Sequence, residues 1–112
     1  MKIAMPVSNG KLCMHFGHCE QFDVYNVDDA TKLVSVLERL DAPPHEPGLL
    51  PRWLAGKGVT CVIAGGMGSR AQSLFKEQGV AVVTGAPAGD PEEILAAYLS
   101  GRLVTGANAC DH

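Results

Sequence analysis

The segment with the most potential for chemistry runs from position 13 to position 19 and reads Cys-Met-His-Phe-Gly-His-Cys. It carries two thiols, Cys13 and Cys19, and two imidazoles, His15 and His18. Soft sulfur donors crowded together with borderline nitrogen donors suit a thiophilic transition metal or a metal-sulfide cluster. We therefore predict that this segment binds such a metal species, with these four side chains as candidate ligands.

A third histidine, His45, lies in the proline-rich segment 42–48. A lone histidine in a loop is usually just solvated, so the residue type by itself indicates little. We include His45 among the candidate metal ligands because the predicted topology, described below, brings its loop to the loop that holds Cys13 and Cys19.

A glycine-rich turn, Gly65-Gly66-Met67-Gly68, precedes a predicted helix. Such a turn lets backbone amides and the amino end of a helix approach an anion closely, which suits phosphate or the sulfides and oxides of an anionic cluster. It lacks the Lys-Ser/Thr ending of a phosphate-binding loop and the full spacing of a dinucleotide site, so it is a weak signal for a nucleotide. Met67 offers a thioether, although a methionine at a helix start more often serves packing.

Other readings of the cysteine-histidine segment remain open. Two cysteines and two histidines are also a common set of ligands for a structural zinc ion. Four side-chain donors this close in one loop, with no second ligand-bearing segment, are hard to arrange as a tetrahedron around one zinc ion. Exposure by chance in a surface loop is a further alternative. Cys61, inside an apolar strand, is expected to be a small buried hydrophobic residue.

Composition narrows the class of protein. With 112 residues the chain is long enough for one domain with its own core. A formal charge of -3, no basic run and six aromatic residues argue against nucleic acid as a partner. The apolar runs are strand-sized, so no membrane partner is expected. We predict a cytoplasmic protein, where cysteine and histidine clusters more often hold metals than form disulfides. The oligomeric state is left undetermined.

Hydrophobic periodicity predicts a mixed α/β protein. The order is three strands, helix, strand, helix, strand, helix, over 2–7, 22–27, 33–40, 49–55, 59–64, 69–79, 80–83 and from Asp90 onward. This order implies a mixed five-stranded sheet with three helices packed on it, whose second half uses right-handed parallel crossovers. The single domain spans 1–112, and for 102–112 both a flexible tail and an ordered lid remain open.

The same topology predicts where the chemical groups meet. Ligands of open α/β sheets lie outside the carboxyl ends of the strands. The loop of Cys13 to Cys19, the loop of His45, the glycine turn and the segment 84–89 all fall at that edge. The terminal residues Cys110 and His112 are far enough along the chain to reach it as well.

The motifs together resemble a known family. The residues that carry the resemblance are His15-Phe16-Gly17, Phe22, Tyr25, Val62-Ile63-Ala64 and the glycine turn. The pattern is similar to that of the dinitrogenase iron-molybdenum cofactor biosynthesis family. This family comprises the NifX- and NafY-like domains, which are also found at the end of NifB. The resemblance covers essentially the whole chain and implies a ribonuclease-H-like three-layer α/β/α fold. It also implies non-catalytic binding, storage or delivery of a metal-sulfide cluster containing molybdenum, iron or both. The implied partners are cluster donor and acceptor proteins.

The resemblance assigns site residues by position. The family's histidine matches His15 and its glycine-rich turn matches 65–68, so the candidate cofactor-binding residues are His15, Phe16, Gly17, Gly65, Gly66, Met67 and Gly68. This chain departs from the family in its additional donors, Cys13, His18, Cys19 and His45. It also lacks the three-cysteine radical motif of full-length NifB, so it is not expected to perform that assembly chemistry.

Two other functions are alternatives to cluster binding and delivery. A nuclease or phosphoryl-transfer enzyme of this architecture needs clustered carboxylates on the central strands, and the predicted strands 2–7 and 59–64 have none. Simple zinc or copper binding is the stronger alternative. We expect no enzymatic activity.

Overall fold

The structure is a computed structural model that describes residues 1–14, 16, 19–44 and 48–106. The predicted order of strands and helices is confirmed, with one short strand added after the first. The elements are β1 Lys2–Ser8, β2 Lys11–Leu12, β3 Gln21–Val27, β4 Val34–Asp41, α1 Leu49–Gly56, β5 Cys61–Ile63, α2 Ser69–Glu77, β6 Ala81–Val83 and α3 Pro91–Leu99.

The sheet is mixed, as predicted. Its main path has the order β4-β3-β1-β5-β6, and β2 pairs with β1 beside this path. β1, β3 and β4 are joined in antiparallel pairs, whereas β1, β5 and β6 run parallel. The carboxyl ends of β1, β4, β5 and β6 therefore meet at one edge of the sheet, which is called the rim below.

The short strand β2 was missed because its signal is two residues long. Asn9 and Gly10 both have positive φ, 54° and 76°. Two consecutive positive φ values are the mark of a type I′ turn, for which Asn-Gly is the preferred pair. Residues 8–11 thus form a tight hairpin that turns the chain back along β1.

Two hydrophobic cores lie on opposite faces of the sheet. Ala4 of β1 and Val62 of β5 pack with Leu54 of α1 and Phe75 of α2, while Ile3 and its alternating neighbours pack with α3. Alternate residues of a strand point to opposite faces, so a strand between two helical layers must be apolar throughout. The three-layer α/β/α architecture is confirmed.

β6 is less buried than its apolar sequence indicates. A short run of apolar residues is typical of a strand buried on both faces, but Ala81 is exposed and Val82 and Val83 are only partly buried. The reason is position, since β6 is the last strand of the sheet and has a neighbour on one side alone.

One buried ion pair joins β3 to β4. Asp23 is 1% exposed and lies opposite Arg39 in the strand register. The guanidinium donates from Nε to Asp23 Oδ1 at 2.6 Å and from Nη2 to Oδ2 at 2.9 Å. This bidentate geometry holds the carboxylate in a fixed orientation. The hydrogen bonds and the charge of Asp23 raise the pKa of Arg39.

In the part of the chain that the structure describes, the helices are too short to cross a membrane.

Candidate functional site

The cysteine loop is held at both ends to the last residues of β1. The amide of Cys13 donates to the carbonyl of Pro6 at 2.8 Å, and the amide of Glu20 donates to the carbonyl of Val7 at 3.2 Å. These bonds bring the start and the end of the loop to neighbouring points on the rim. The backbones of Cys13 and Glu20, at the two ends of the loop, are therefore bound to adjacent residues of β1.

The two thiols interact electrostatically. Cys13 and Cys19 are both half-buried. Burial, with a smaller contribution from negative charge on Cys13, raises the pKa of Cys19 to about 12, while a backbone hydrogen bond acts in the opposite direction. Without a cation nearby, Cys19 is therefore a neutral thiol at physiological pH. A bound metal ion stabilises the thiolate and displaces the proton.

Phe16 anchors the middle of the loop in the core. Its side chain is 7% exposed. Its ring packs edge to face on Phe22 and Phe75, with centroids 5.7 Å and 5.4 Å away. Aromatic pairs in this arrangement stabilise beyond the area they bury. A loop that projected freely into solvent would not place its central side chain in this way.

The glycine turn lies directly beneath the cysteine loop. The amide of Phe16 donates to the carbonyl of Gly66 at 2.9 Å. A β-carbon built on Gly65 would lie 2.9 Å from the sulfur of Met14 and 3.2 Å from its Cα. Glycine at position 65 therefore permits the close approach of the loop, and the predicted convergence of these two segments is observed.

The remaining loops reach the same rim. Ala42, which begins the loop of His45, donates its amide to the carbonyl of Glu20 at 3.0 Å. Gly85, after β6, donates to Gly65 at 2.9 Å, and the amide of Gly106 donates to Gly85 at 2.7 Å. The chain beyond α3 thus returns to the rim. The structure brings these segments together within hydrogen-bonding distance of one another.

Six of the residues singled out from sequence lie outside the described residues. They are His15, Gly17, His18, His45, Cys110 and His112. Their roles remain predictions. Among residues 1–14, 16, 19–44 and 48–106, no three His, Cys, Asp or Glu side chains come together as a metal site.

The two methionines near the site have different environments. Met67 is fully buried and packs in the core on the α1–α2 side, a position that favours packing over ligation. Met14 is 36% exposed and rests on Gly65. Met14 is not among the predicted ligands, although its place between Cys13 and His15 puts a third soft sulfur in the loop. Its thioether is a weak ligand available at the rim.

In the part of the chain that the structure describes, no side chain caps the amino end of α2. Its N-cap residue is Gly68, no side chain accepts a hydrogen bond there, and its first turn contains no acidic residue. By contrast, Asp90 caps α3 by accepting from the amide of Glu92 at 3.0 Å. An uncapped helix start leaves amide donors and partial positive charge for an outside acceptor. The α2 terminus follows the glycine turn and therefore faces the rim.

The comparison with family models identifies the chain. The model described as dinitrogenase iron-molybdenum cofactor matches residues 1–101. The chain belongs to this family. The predicted resemblance is confirmed, and membership links the chain to the iron-molybdenum cofactor of dinitrogenase.

Other members and structural neighbours match most of the length of this chain. An uncharacterized protein of Methanocaldococcus jannaschii, MJ0580, is 32% identical over 106 residues, covering 92% of this chain and 89% of the relative. The crystal structure of PH0822 superposes with a TM-score of 0.87 at 28% identity and covers 94% of each chain. The apo form of the orange protein from Desulfovibrio gigas has the same fold, with a TM-score of 0.72 at 23% identity over 96% of this chain and 93% of that one.

Proposed function

We propose that this protein binds, stores and hands over an anionic metal-sulfide cluster that contains molybdenum, iron or both, without turnover of its own. The cluster is cargo, received from a donor protein and passed to an acceptor protein. The observation that carries the proposal is the contact between the cysteine loop and the glycine turn, where Phe16 bonds to Gly66 and Met14 packs on Gly65.

The cysteine loop supplies the metal ligands in this proposal. Cys13 and Cys19 present soft sulfur donors at one point of the rim, and soft donors favour thiophilic metals over magnesium or calcium. The predicted ligands His15, His18 and His45 add borderline nitrogen donors from the same loop and from the loop that starts at Ala42.

The glycine turn and the start of α2 supply positive charge that attracts an anionic cluster in this proposal. Metal-sulfide clusters are commonly anionic, and the uncapped start of α2 after Gly68 offers amide hydrogens and a partial positive charge. α3, whose start is already capped by Asp90, offers no such place. Thiols and an anion-attracting helix end next to one another support a charged metal-sulfide cargo over a bare divalent cation.

Exposure at the rim suits transfer to another protein. Cys13 and Cys19 are half-buried and Met14 is exposed, so a cargo bound to them stays within reach of a partner. A carrier has to release what it holds, which a closed site with all ligands buried would hinder.

The experiment is cluster retention in matched cysteine variants. Protein purified without oxygen, and reconstituted with ferrous iron, sulfide and tetrathiomolybdate, is assayed for bound metal, labile sulfide and visible charge-transfer absorption. We expect the double variant Cys13→Ala/Cys19→Ala, and separately His15→Ala, to lose most of the bound cluster. The matched control is Cys61→Ala, which removes a thiol from the core and should retain the cluster.

Two results would contradict the proposal. One is wild-type protein that stays colourless and binds zinc or copper with no labile sulfide, which would favour simple metal binding. The other is an unchanged metal and sulfide content in the double cysteine variant.

A further inference from the structure

A groove lies on the α3 side of the sheet, away from the core that holds Phe16. Its volume is about 530 Å³. Tyr25 and Val34 of the β3–β4 hairpin form one wall, and Leu95, Ala96 and Leu99 of α3 form the other. The groove is thus mostly apolar and runs along the helix.

The groove is open because the two helical layers are unequal. α1 and α2 together cover one face of the sheet, whereas α3 covers the other face alone. Next to the groove, Leu33 is 68% exposed and Val34 is 46% exposed. Two adjacent exposed aliphatic side chains beside an apolar groove form a surface that gains free energy when it is covered.

Tyr25, which lines the groove, also has a buried polar atom. Tyr25 is 2% exposed, and its hydroxyl forms no hydrogen bond with any residue of the described part of the chain. Burial, followed by the charge of Asp23, raises the pKa of Tyr25, so the hydroxyl keeps its proton and remains a donor. A buried donor without an acceptor is costly. The charges that act on this hydroxyl belong to residues that line a separate polar pocket, so the hydroxyl is not counted as part of the apolar groove.

The charges at the two ends of the groove are opposite. Glu92 lines the groove at the first turn of α3. This end of the helix is near the rim, because the carbonyl of Gly89, just before α3, accepts a hydrogen bond from the amide of Leu12. Lys32 lines it from the β3–β4 connection, at the far end of the sheet. Within the described residues neither side chain makes an ion pair.

We propose that this groove is the interface of a symmetric dimer, so that its occupant is a second copy of the same chain. A two-fold axis perpendicular to the groove reverses its direction in the partner. It therefore sets Lys32 of each copy opposite the partner subunit's Glu92, so that the same ion pair forms twice. Leu33 of each copy covers the apolar wall of the other. An isologous interface requires a patch that complements itself, and this one does so in both charge and hydrophobicity.

The dimer leaves the rim open. Phe16 packs on the α1–α2 side of the sheet, and the groove is on the α3 side. Association through the groove and cluster binding at the rim are therefore separate properties, and either can fail without the other.

The test is sedimentation velocity of the full chain over a concentration series, without added metal. Wild-type protein is expected to show a monomer–dimer equilibrium. Leu33→Asp removes two apolar contacts per dimer, and we expect it to raise the dissociation constant about 100-fold. Because Leu33 is exposed in the monomer, this variant should keep the wild-type melting temperature at concentrations where both proteins are monomeric.

A charge swap separates the interface from a structural effect. Lys32→Glu and Glu92→Lys should each weaken the dimer, and the double variant should restore it. Glu93→Lys is the matched control, since Glu93 is an exposed neighbour on the same turn that does not line the groove, and it should not change association. A monomer at every concentration would overturn the proposal. So would a dimer unaffected by Leu33→Asp, or a charge-swapped variant no tighter than its parents.

Discussion

Met14 rests on Gly65 so closely that a β-carbon on the glycine would lie 3.2 Å from the Met14 Cα. The contact joins the cysteine loop to the turn that begins α2. A sulfur-rich loop and an anion-attracting helix start are thereby fixed relative to each other by backbone packing. The geometry of the proposed site thus depends on glycine at this position.

Gly65→Ala tests that dependence. The side chain of Met14 can swing away from a new methyl group, but its backbone can yield only if the loop lifts from the turn. We expect a loss of about 2 kcal/mol in the free energy of unfolding, as for an overpacked position, and weaker cluster retention. Urea denaturation and the metal assay measure the two effects.

Gly68→Ala is the matched control for Gly65→Ala. A β-carbon at position 68 would have no neighbour within 4 Å, and φ there is -63°, which any residue can adopt. Since alanine is a poorer N-cap than glycine, we expect a small cost of about 0.5 kcal/mol. Equal effects of the two substitutions would show that the Met14 contact does not matter.

Phe16→Ala should uncouple the loop from the core. The ring lies between Phe22 and Phe75, and removing a buried phenylalanine costs about 3–5 kcal/mol. We expect a value near the lower limit, because a loop relaxes around the gap more easily than a strand does. Differential scanning calorimetry measures the loss.

Phe16→Leu and His15→Ala are the comparisons for Phe16→Ala. Leucine keeps much of the apolar volume and should cost about 1 kcal/mol. His15→Ala should lower cluster retention while leaving thermal stability nearly unchanged. If His15→Ala destabilised the fold as much as Phe16→Ala, the assignment of His15 as a ligand would be wrong.

Much of the fold is readable from the sequence because its local signals are strong. The continuous apolar run of β5 predicts a strand between two layers, and Cys61, Val62 and Ile63 are all buried there. Asp90-Pro91 predicts the start of α3, where Asp90 is the observed cap. In these places one short pattern determines one local structure.

Asp23 shows where local patterns fail. An aspartate in an alternating strand is expected to face solvent, yet Asp23 is buried. Its environment depends on Arg39, sixteen residues later, and on a register that local periodicity does not specify. The candidate site likewise has features that the sequence predicts and features that it does not. Topology predicts which loops converge on the rim, whereas the contact of Met14 with Gly65 requires coordinates.

Arg39→Ala should destabilise the protein although Arg39 is itself half-exposed. The substitution leaves the Asp23 carboxylate buried without its cation, and breaking a buried pair costs about 3–5 kcal/mol. Solvent access on the arginine side reduces this cost, so we expect a smaller but measurable loss of stability. Glu38→Ala, at an exposed neighbouring position on β4, should change the free energy of unfolding by less than about 0.5 kcal/mol.

A double variant tests whether burial of the charge is the cause. Asp23→Asn in the Arg39→Ala background removes the unpaired carboxylate and should recover part of the lost stability. Chemical denaturation of the four proteins forms a double-mutant cycle. Additive losses, with no coupling between the two positions, would contradict this account of the pair.

Cys61→Ala should lower stability without affecting the rim. Cys61 is 4% exposed, packs in the core with α3, and contacts the Tyr98 hydroxyl at 3.8 Å from its sulfur. Removing this buried sulfur should cost about 1–2 kcal/mol at neutral pH. Cluster retention should stay at the wild-type level, because the residue lies in the sheet and not among the loops.

The same residue gives a pH dependence with a definite sign. Burial raises the pKa of the Cys61 thiol above its ordinary value of 9.0. Above about pH 9 the unfolded chain therefore loses this proton while the folded chain keeps it, so stability falls as pH rises through that range. Cys61→Ala removes this contribution, and its free energy of unfolding should fall less steeply between about pH 8 and pH 11 than that of wild type. Urea titrations across this range measure both slopes, and parallel slopes would show that the buried thiol is not their source.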